Sequence, residues 1–280
     1  TDAGGLSYEQ DMTVALRNTN EAPTDISADR ALVFAENTVA GTVLASFGYS
    51  DADAGDTASF TLAPDFNGNG RFVISSDGQL SAAGVGMDYE SATSHTVRIQ
   101  VTDAGGLSYS KDVVIAVRNV NEAPTEVSSD TPLVVNENIA AGTVLAQLRS
   151  RDADVGDSAT YTLVAGAGRF SLSADGVLSV GTTPLNYEEA SSQGIRVRVT
   201  DAGGLSFEQD LTVAIANVNE APSAITVDRE LWFHENTAPG TGLAMLRATD
   251  ADAGDTATFS LVGGYDGGGR FTLRSDGLLS

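Results

Sequence analysis

The chain has 280 residues, with 38 Asp and Glu against 15 Lys and Arg, a formal charge of −23. Such a charge repels nucleic acid and anionic membrane surfaces alike. The absence of Cys excludes disulfides, thiolate metal sites and a Cys nucleophile. No apolar run approaches the ~18 residues of a membrane span, whereas 41% hydrophobic content is enough to give each of two or three modules a core. The opening residues, Thr1 to Gly5, lack the character of a signal peptide, and the chain reads as an excised piece of something longer.

Self-comparison finds one unit repeated. TDAGGLS starts at Thr1, Thr102 and Thr200, and NEAP at Asn20, Asn121 and Asn219, so both strings recur at spacings of 101 and 98. A repeat of that length is a domain rather than a solenoid turn. The frame divides the chain into residues 1–22, the end of a unit; 23–122 and 123–220, two complete units; and 221–280, the beginning of another.

In chain order, Met12, Val14 and Leu16 form the first ladder of alternating apolar residues. Short apolar runs follow at Leu32 to Phe34, Val43 to Phe47, Ser59 to Leu62, Phe72 to Ile74 and around Leu80, separated by Gly, Asp and Pro. Val97, Ile99 and Val101 alternate with Arg98 and Gln100, and Val113, Ile115 and Val117 form the next ladder, with AGGLS as the hairpin turn between them. The following copy repeats both ladders at Ile195, Val197, Val199 and at Leu211, Val213, Ile215. Period-two alternation predicts half-buried strands. About seven strands per unit, with turn signals every ~8 to 12 residues, predict an all-β chain of tandem Greek-key sandwiches of immunoglobulin-like type. No stretch carries helical periodicity.

The acidic residues gather in the segments that bound the strands, which in the first complete unit are Glu36, Asp51, Asp53, Asp88, Glu90, Asp103 and Glu122. Two unit charges about 4 Å apart repel by roughly 4 kcal/mol at an effective dielectric near 20. One Lys, Lys111, and Arg residues mostly on strands do not neutralise them locally. A hard divalent cation with oxygen ligands would, and the flexible coordination of Ca2+ suits such a set better than the tight octahedron of Mg2+.

The combination of ENTVAGT from Glu36, DADAGD from Asp51, MDYE ending at Glu90, VTDAGG from Val101 and NVNEAP from Asn119 resembles the cadherin-type repeat found in tandem in large bacterial surface proteins. The resemblance covers the whole chain and implies cadherin-like sandwiches with Ca2+ bound where consecutive domains join. It implies that the central junction takes Glu36, Asp88 and Glu90 from the domain above, Asn119, Asn121 and Glu122 from the linker, and Asp152, Asp154 and Asp201 from the domain below. Seven of those residues are carboxylates, so three Ca2+ ions would leave a residual charge of about −1. At the first junction it implies Asn18, Asn20 and Glu21 facing Asp51, Asp53 and Asp103. At the third it implies Glu137, Asn186, Glu188, Asn217, Asn219 and Glu220 facing Asp250 and Asp252. The linkers depart from the acidic family pattern, with amides where carboxylates are usual, and Asn186 replaces the aspartate found at Asp88. Because residues 1–280 hold no counterpart of Glu36, Asp88 and Glu90 for the first junction and none of Asp201 for the third, the expectation is one complete junction, the central one, and weaker binding at the others.

Other motifs read as structural. DADAGD fails the EF-hand pattern, because the sixth position from Asp51 is Asp56 and the twelfth is Leu62. Asp56, Asp157 and Asp255 at its end are expected to form turns and not to bind metal. GGYDGGG at Gly263 lacks the Lys of a phosphate loop and reads as flexible. His95 and His234 occupy unrelated positions, so no triad or zinc site assembles, and no catalytic residue is expected. Trp232, aligned with Val33 and Val134, is expected to pack into a core. The functional expectation is an extracellular, Ca2+-stiffened structural and adhesive module. It has no direct membrane insertion of its own, and its partners are another copy of itself, a cell surface or a polysaccharide. The alternative is a carbohydrate-binding or self-binding module of a larger secreted protein.

Overall fold

A computed structural model describes all of residues 1–280 and shows an all-β chain that divides into two compact units, Thr1–Asn121 and Glu122–Ser280. The first unit holds β1 (Asp25–Ala28), β2 (Val33–Ala35), β3 (Val43–Ser50), β4 (Ala58–Asn67), β5 (Phe72–Ile74), β6 (Gln79–Ala82), β7 (Ser94–Asp103) and β8 (Ser108–Arg118). They pair as two sheets, β1-β3-β6-β5 and β2-β8-β7-β4. The second unit repeats this with β9 (Glu126–Ser129), β10 (Val134–Asn136), β11 (Val144–Arg151), β12 (Thr160–Ala165), β13 (Phe170–Leu172), β14 (Val177–Val180), β15 (Ser192–Thr200) and β16 (Ser206–Ala216). Its sheets are β13-β14-β11-β9 and β10-β16-β15-β12. Residues beyond these form a smaller sheet of β17 (Ala224–Val227), β18 (Ala244–Thr249) and β19 (Leu278–Leu279).

Each sandwich carries eight strands instead of the seven expected, because its opening strand is cut in two and changes sheet. β1 runs antiparallel to β3, whereas β2, a few residues on, runs parallel to β8 with Val33 opposite Ala116 and Ala35 opposite Arg118. β9 and β10 do the same against β11 and β16. The crossover closes the two sheets along one edge, which leaves less unpaired backbone open to other chains.

Alternation places the core. Val97, Ile99 and Val101 of β7 and Ile115 of β8 face inward with Phe60, Phe72 and Leu80, while Arg98 lies across from Asp112 on the outer face, 2.6 Å from its carboxylate. The second core gathers Ile195, Val197, Val199, Val213 and Ile215 with Leu148, Phe170 and Leu178. Burying a side chain of this kind contributes about 1.5–3 kcal/mol.

Two expectations fail. The ladder at Met12, Val14 and Leu16 forms no strand, and all three side chains are exposed. In the other copies this segment pairs with the strand preceding TDAGG (β7, β15), and that strand has no counterpart in residues 1–280. Trp232 is not in a core but 64% exposed, matching the outward-facing Val33 and Val134. Phe233 at 54% is exposed as well, because residues 231–236 join no sheet, whereas Val134 and Val135 lie on β10 beside β16.

Candidate metal centres at the strand ends

Each sandwich buries one glutamate completely. Glu36 follows β2, and its backbone N–H extends the β2 ladder to the Arg118 carbonyl at 3.0 Å. Its carboxylate accepts from Val120 N–H at 2.8 Å and Tyr89 N–H at 2.7 Å, tying the segment after β8 to the MDYE segment. Glu137, 2% exposed, does the same with Val218 N–H at 2.9 Å and Tyr187 N–H at 2.7 Å. Asn37 and Asn138, next in sequence, adopt left-handed φ of 57° and 55°, a region Asn tolerates better than most residues, which is why the turn after each buried glutamate is built on Asn. Met87 and Leu185 are buried in the two cores and anchor the MDYE and LNYE segments beside these glutamates.

In the first unit, carboxylate oxygens of Glu36, Asp88 and Glu90 come within 4.8 Å of one another. Asp88 accepts from the N–H and hydroxyl of Ser91, which hold its carboxyl below the usual aspartate range. A second group in this unit joins residues 18–21 to the DADAGD and VTDAGG loops. Asn18 Nδ2 donates to Asp53 Oδ1, Glu21 N–H donates to Asp53 Oδ2 at 2.8 Å, and Asn20 Nδ2 donates to Asp103 Oδ2 at 3.0 Å. The Asn18 contact, followed by that of Glu21, lowers the pKa of Asp53. Asp53 N–H in turn donates to Asp51 Oδ1 at 2.9 Å. Asn119 and Asn121 follow β8 and close the unit.

In the second unit, Glu122 N–H donates to Asp154 Oδ2 at 2.8 Å and Asp154 N–H to Asp152 Oδ1 at 3.1 Å, while Asp201 closes the TDAGG turn by accepting from Leu205 N–H at 2.8 Å. A further group brings Glu137, Glu188 and Glu220 within 4.8 Å of one another. Glu220 N–H donates to Asp252 Oδ2 at 2.7 Å, and Asp252 N–H donates to Asp250 Oδ1 at 3.1 Å. Asn138 donates to Glu220, Asn219 Nδ2 donates to the Glu220 carbonyl at 2.9 Å, and Asn217 lines an open cleft with Tyr187, Glu188 and Ala251. The backbone hydrogen bond of Glu188 pulls its pKa down, but desolvation and the charges of Glu137, Glu220 and Asp252 together push it above the ordinary glutamate range. Asn186 does not join this group of carboxylates; its Oδ1 accepts from Glu189 N–H at 2.7 Å and caps the following turn. In all three copies the linker glutamate clips its N–H onto the second aspartate of DAD, a register that sequence spacing alone does not reveal.

The chemistry of these groups is that of a hard-cation site. Acidic side chains are almost never fully buried unless paired, yet Glu36, Asp103, Glu137, Asp154, Asp201 and Asp252 are all buried. Asp51 Oδ2 and Asp56 Oδ2 in the first unit, and Glu220 Oε2 and Asp252 Oδ1 in the second, are shielded from solvent with no hydrogen-bond partner. An all-oxygen donor set with buried lone pairs left over fits a divalent cation of the Ca2+ type. The reading of Asp56 and Asp157 as turn formers alone missed half of their placement: Asp51, Asp56 and Asp103 lie within 4.8 Å of one another, and so do Asp152, Asp157 and Asp201. The signal was the third acidic residue of DADAGD and DADVGD, three positions past the second.

The fold is that of tandem cadherin-like β-sandwiches. Comparison with known proteins agrees. The chain is 32% identical to human Protocadherin Fat 1 over 191 residues, covering 65% of this chain and 4% of that protein. It is 28% identical over 269 residues to human Protocadherin alpha-2, covering 88% of this chain and 27% of the relative. Among solved structures, mouse Cadherin-23 EC22-24 superposes with a TM-score of 0.63 at 25% identity, over 88% of this chain and 83% of that one. The extracellular cadherin domains 1-5 of Protocadherin Gamma B2 superpose with a TM-score of 0.61 at 20% identity, over 92% and 52%. No protein-family profile matches. The chain thus spans a small part of the curated relatives. A bacterial source is not among these findings.

Proposed function

We propose that this segment is a calcium-binding run of cadherin-like repeats in an extracellular adhesion or surface protein, stiffened by Ca2+ where domains join. The frame of 1–22, 23–122, 123–220 and 221–280 is part of the proposal, and so is the meeting of Glu36, Asp88 and Glu90 with Glu122, Asp152 and Asp154 at the central junction. The observation that carries it is the set of buried, unpartnered carboxylate oxygens on Asp51, Glu220 and Asp252 inside clusters of like charge. Bound Ca2+ supplies the positive charge those oxygens face. The protein's own part is to fix the glutamates on backbone N–H groups and to clip each linker to the domain that follows it. No helix is long and apolar enough to cross a membrane. Extracellular Ca2+ modules bind at about 10⁻⁴ to 10⁻³ M, so titration calorimetry in that range should give one tighter class of sites and a weaker remainder. Small-angle scattering should show a larger radius of gyration with Ca2+ than with chelator, and an unchanged radius would remove the stiffening.

A second reading, binding of polysaccharide or of another copy of the chain, draws on the exposure of Trp232 and Tyr265 beside an apolar cavity lined by Leu231, Phe233, Leu243 and Phe271. Glycan binding lost in Trp232→Ala would favour it.

A further inference from the structure

We infer that Asp56 and Asp157 are calcium ligands in their own right, supplying the charge that the amide-rich linkers lack; this rests on the calcium reading above. The turn itself uses only one side of Asp56. Its N–H donates to the Asp53 carbonyl at 3.1 Å, Gly55 reverses the chain at φ 92°, and Asp56 Oδ1 accepts from Thr57 N–H at 2.8 Å. The Asp56 carbonyl is fixed from the core side by the Tyr49 hydroxyl at 2.6 Å. Oδ2 has no part in the turn: it is shielded from solvent and has no hydrogen-bond partner, and Asp56 belongs to the group within 4.8 Å that also holds Asp51 and Asp103. Asp51 Oδ2, in the same group, is also buried and unpartnered.

The second unit repeats the arrangement. Ser158 N–H donates to Asp157 Oδ1 at 2.8 Å, and Asp157 lies within 4.8 Å of Asp152 and Asp201; here Oδ2 accepts from Ala202 N–H at 3.3 Å, so this oxygen is not unpartnered as that of Asp56 is. A residue needed for the turn alone could be Asn or Ser, since either accepts the following N–H. A third carboxylate among like charges raises the cost of the metal-free state, and is explained by a cation that all three share. In the first unit Asn18 and Asn20 now donate through their amide nitrogens to Asp53 and Asp103, where a positive species belongs. Rotating each amide by half a turn would present oxygen instead, so the amides contribute ligand atoms and Asp56 contributes charge.

The test is the double variant Asp56→Asn, Asp157→Asn in the full chain, with Asn Oδ1 retaining the turn contact. Calorimetric titration with CaCl2 should show one class of sites weakened by about tenfold or more. Thermal unfolding should move in opposite directions: a higher Tm in chelator, because repulsion is relieved, and a smaller gain on adding Ca2+. Unchanged calcium affinity, or a Tm lowered equally with and without Ca2+, assigns these residues to the turn and overturns the inference while leaving the calcium reading intact. A wild-type chain that binds no Ca2+ defeats both.

Discussion

Residues 6–17, LSYEQDMTVALR, and residues 205–216, LSFEQDLTVAIA, are nearly the same sequence in two conformations. The second stretch contains β16, held between β15 and β10, with Val213 at 0% and Ile215 at 4% exposure. The first is irregular, with Val14 at 85% and Leu16 at 97%. The turn before them survives in both: Asp2 accepts from Leu6 N–H at 2.9 Å as Asp201 does from Leu205 N–H, and Gly5 and Gly204 share a left-handed φ of 83° and 90°. A turn is closed by residues a few positions apart, so it travels with its sequence. A strand is closed by partner strands, here β15 across the hairpin and β10 farther off, and its apolar alternation is only a request for them.

The same contrast holds for the buried glutamates, and it gives the largest expected effect. Glu137 accepts two backbone N–H groups, while its counterpart Glu235 is exposed. Glu137→Ala should cost about 4 kcal/mol in urea unfolding, since two buried donors lose their acceptor; Glu235→Ala should stay within about 0.5 kcal/mol. Equal effects would break the comparison. Ile215→Ala should cost about 3 kcal/mol through the cavity it leaves, against about 0.5 kcal/mol or less for Leu16→Ala. Hydrogen exchange should find the amides of β16 protected and those of residues 7–17 open.

A smaller effect separates the two complete sandwiches. His95 on β7 lies edge-on to Phe72 with Nε2 buried and unpartnered, and Gln193 stands at the matching place on β15. Desolvation, then the charge of Arg71, lowers the folded pKa of His95 below its ordinary 6.5. The folded state therefore binds the proton less readily than the unfolded state, so stability is full above pH 6.5 and falls as pH drops from there through the lowered folded value. His95→Gln should flatten that slope in pH-dependent urea melts, and a slope that persists would place its origin elsewhere. The smallest effect belongs to the exposed cross-strand pairs: Arg196→Ala, which releases Asp210, should leave the urea midpoint unchanged within error.

Much of this was legible in the sequence. The inward Val97, Ile99, Val101 ladder and the acidic loops follow from spacing and period. The parallel pairing of β2 with β8 was not, because three residues carry too little pattern to name a partner far along the chain. Nor was the exposure of Trp232, which it shares with Phe233 because residues 231–236 join no sheet, whatever their apolarity. Asp56 reads as a turn residue because its local hydrogen bond is a turn bond; that it also lies in an acidic group with Asp103 emerges only when β7 brings that residue near.

By itself, then, the sequence determined whatever depends on near neighbours: the alternation, the DAGG turns, the left-handed Asn after each buried glutamate, and the grouping of acids at strand ends. Tertiary structure alone decided which ladders become strands, which edge each opening strand joins, and which carboxylate oxygens lose both water and partner. The physical reason is that hydrogen-bond closure and desolvation are set by residues distant in the chain, and a side chain carries no record of them until the fold brings them together.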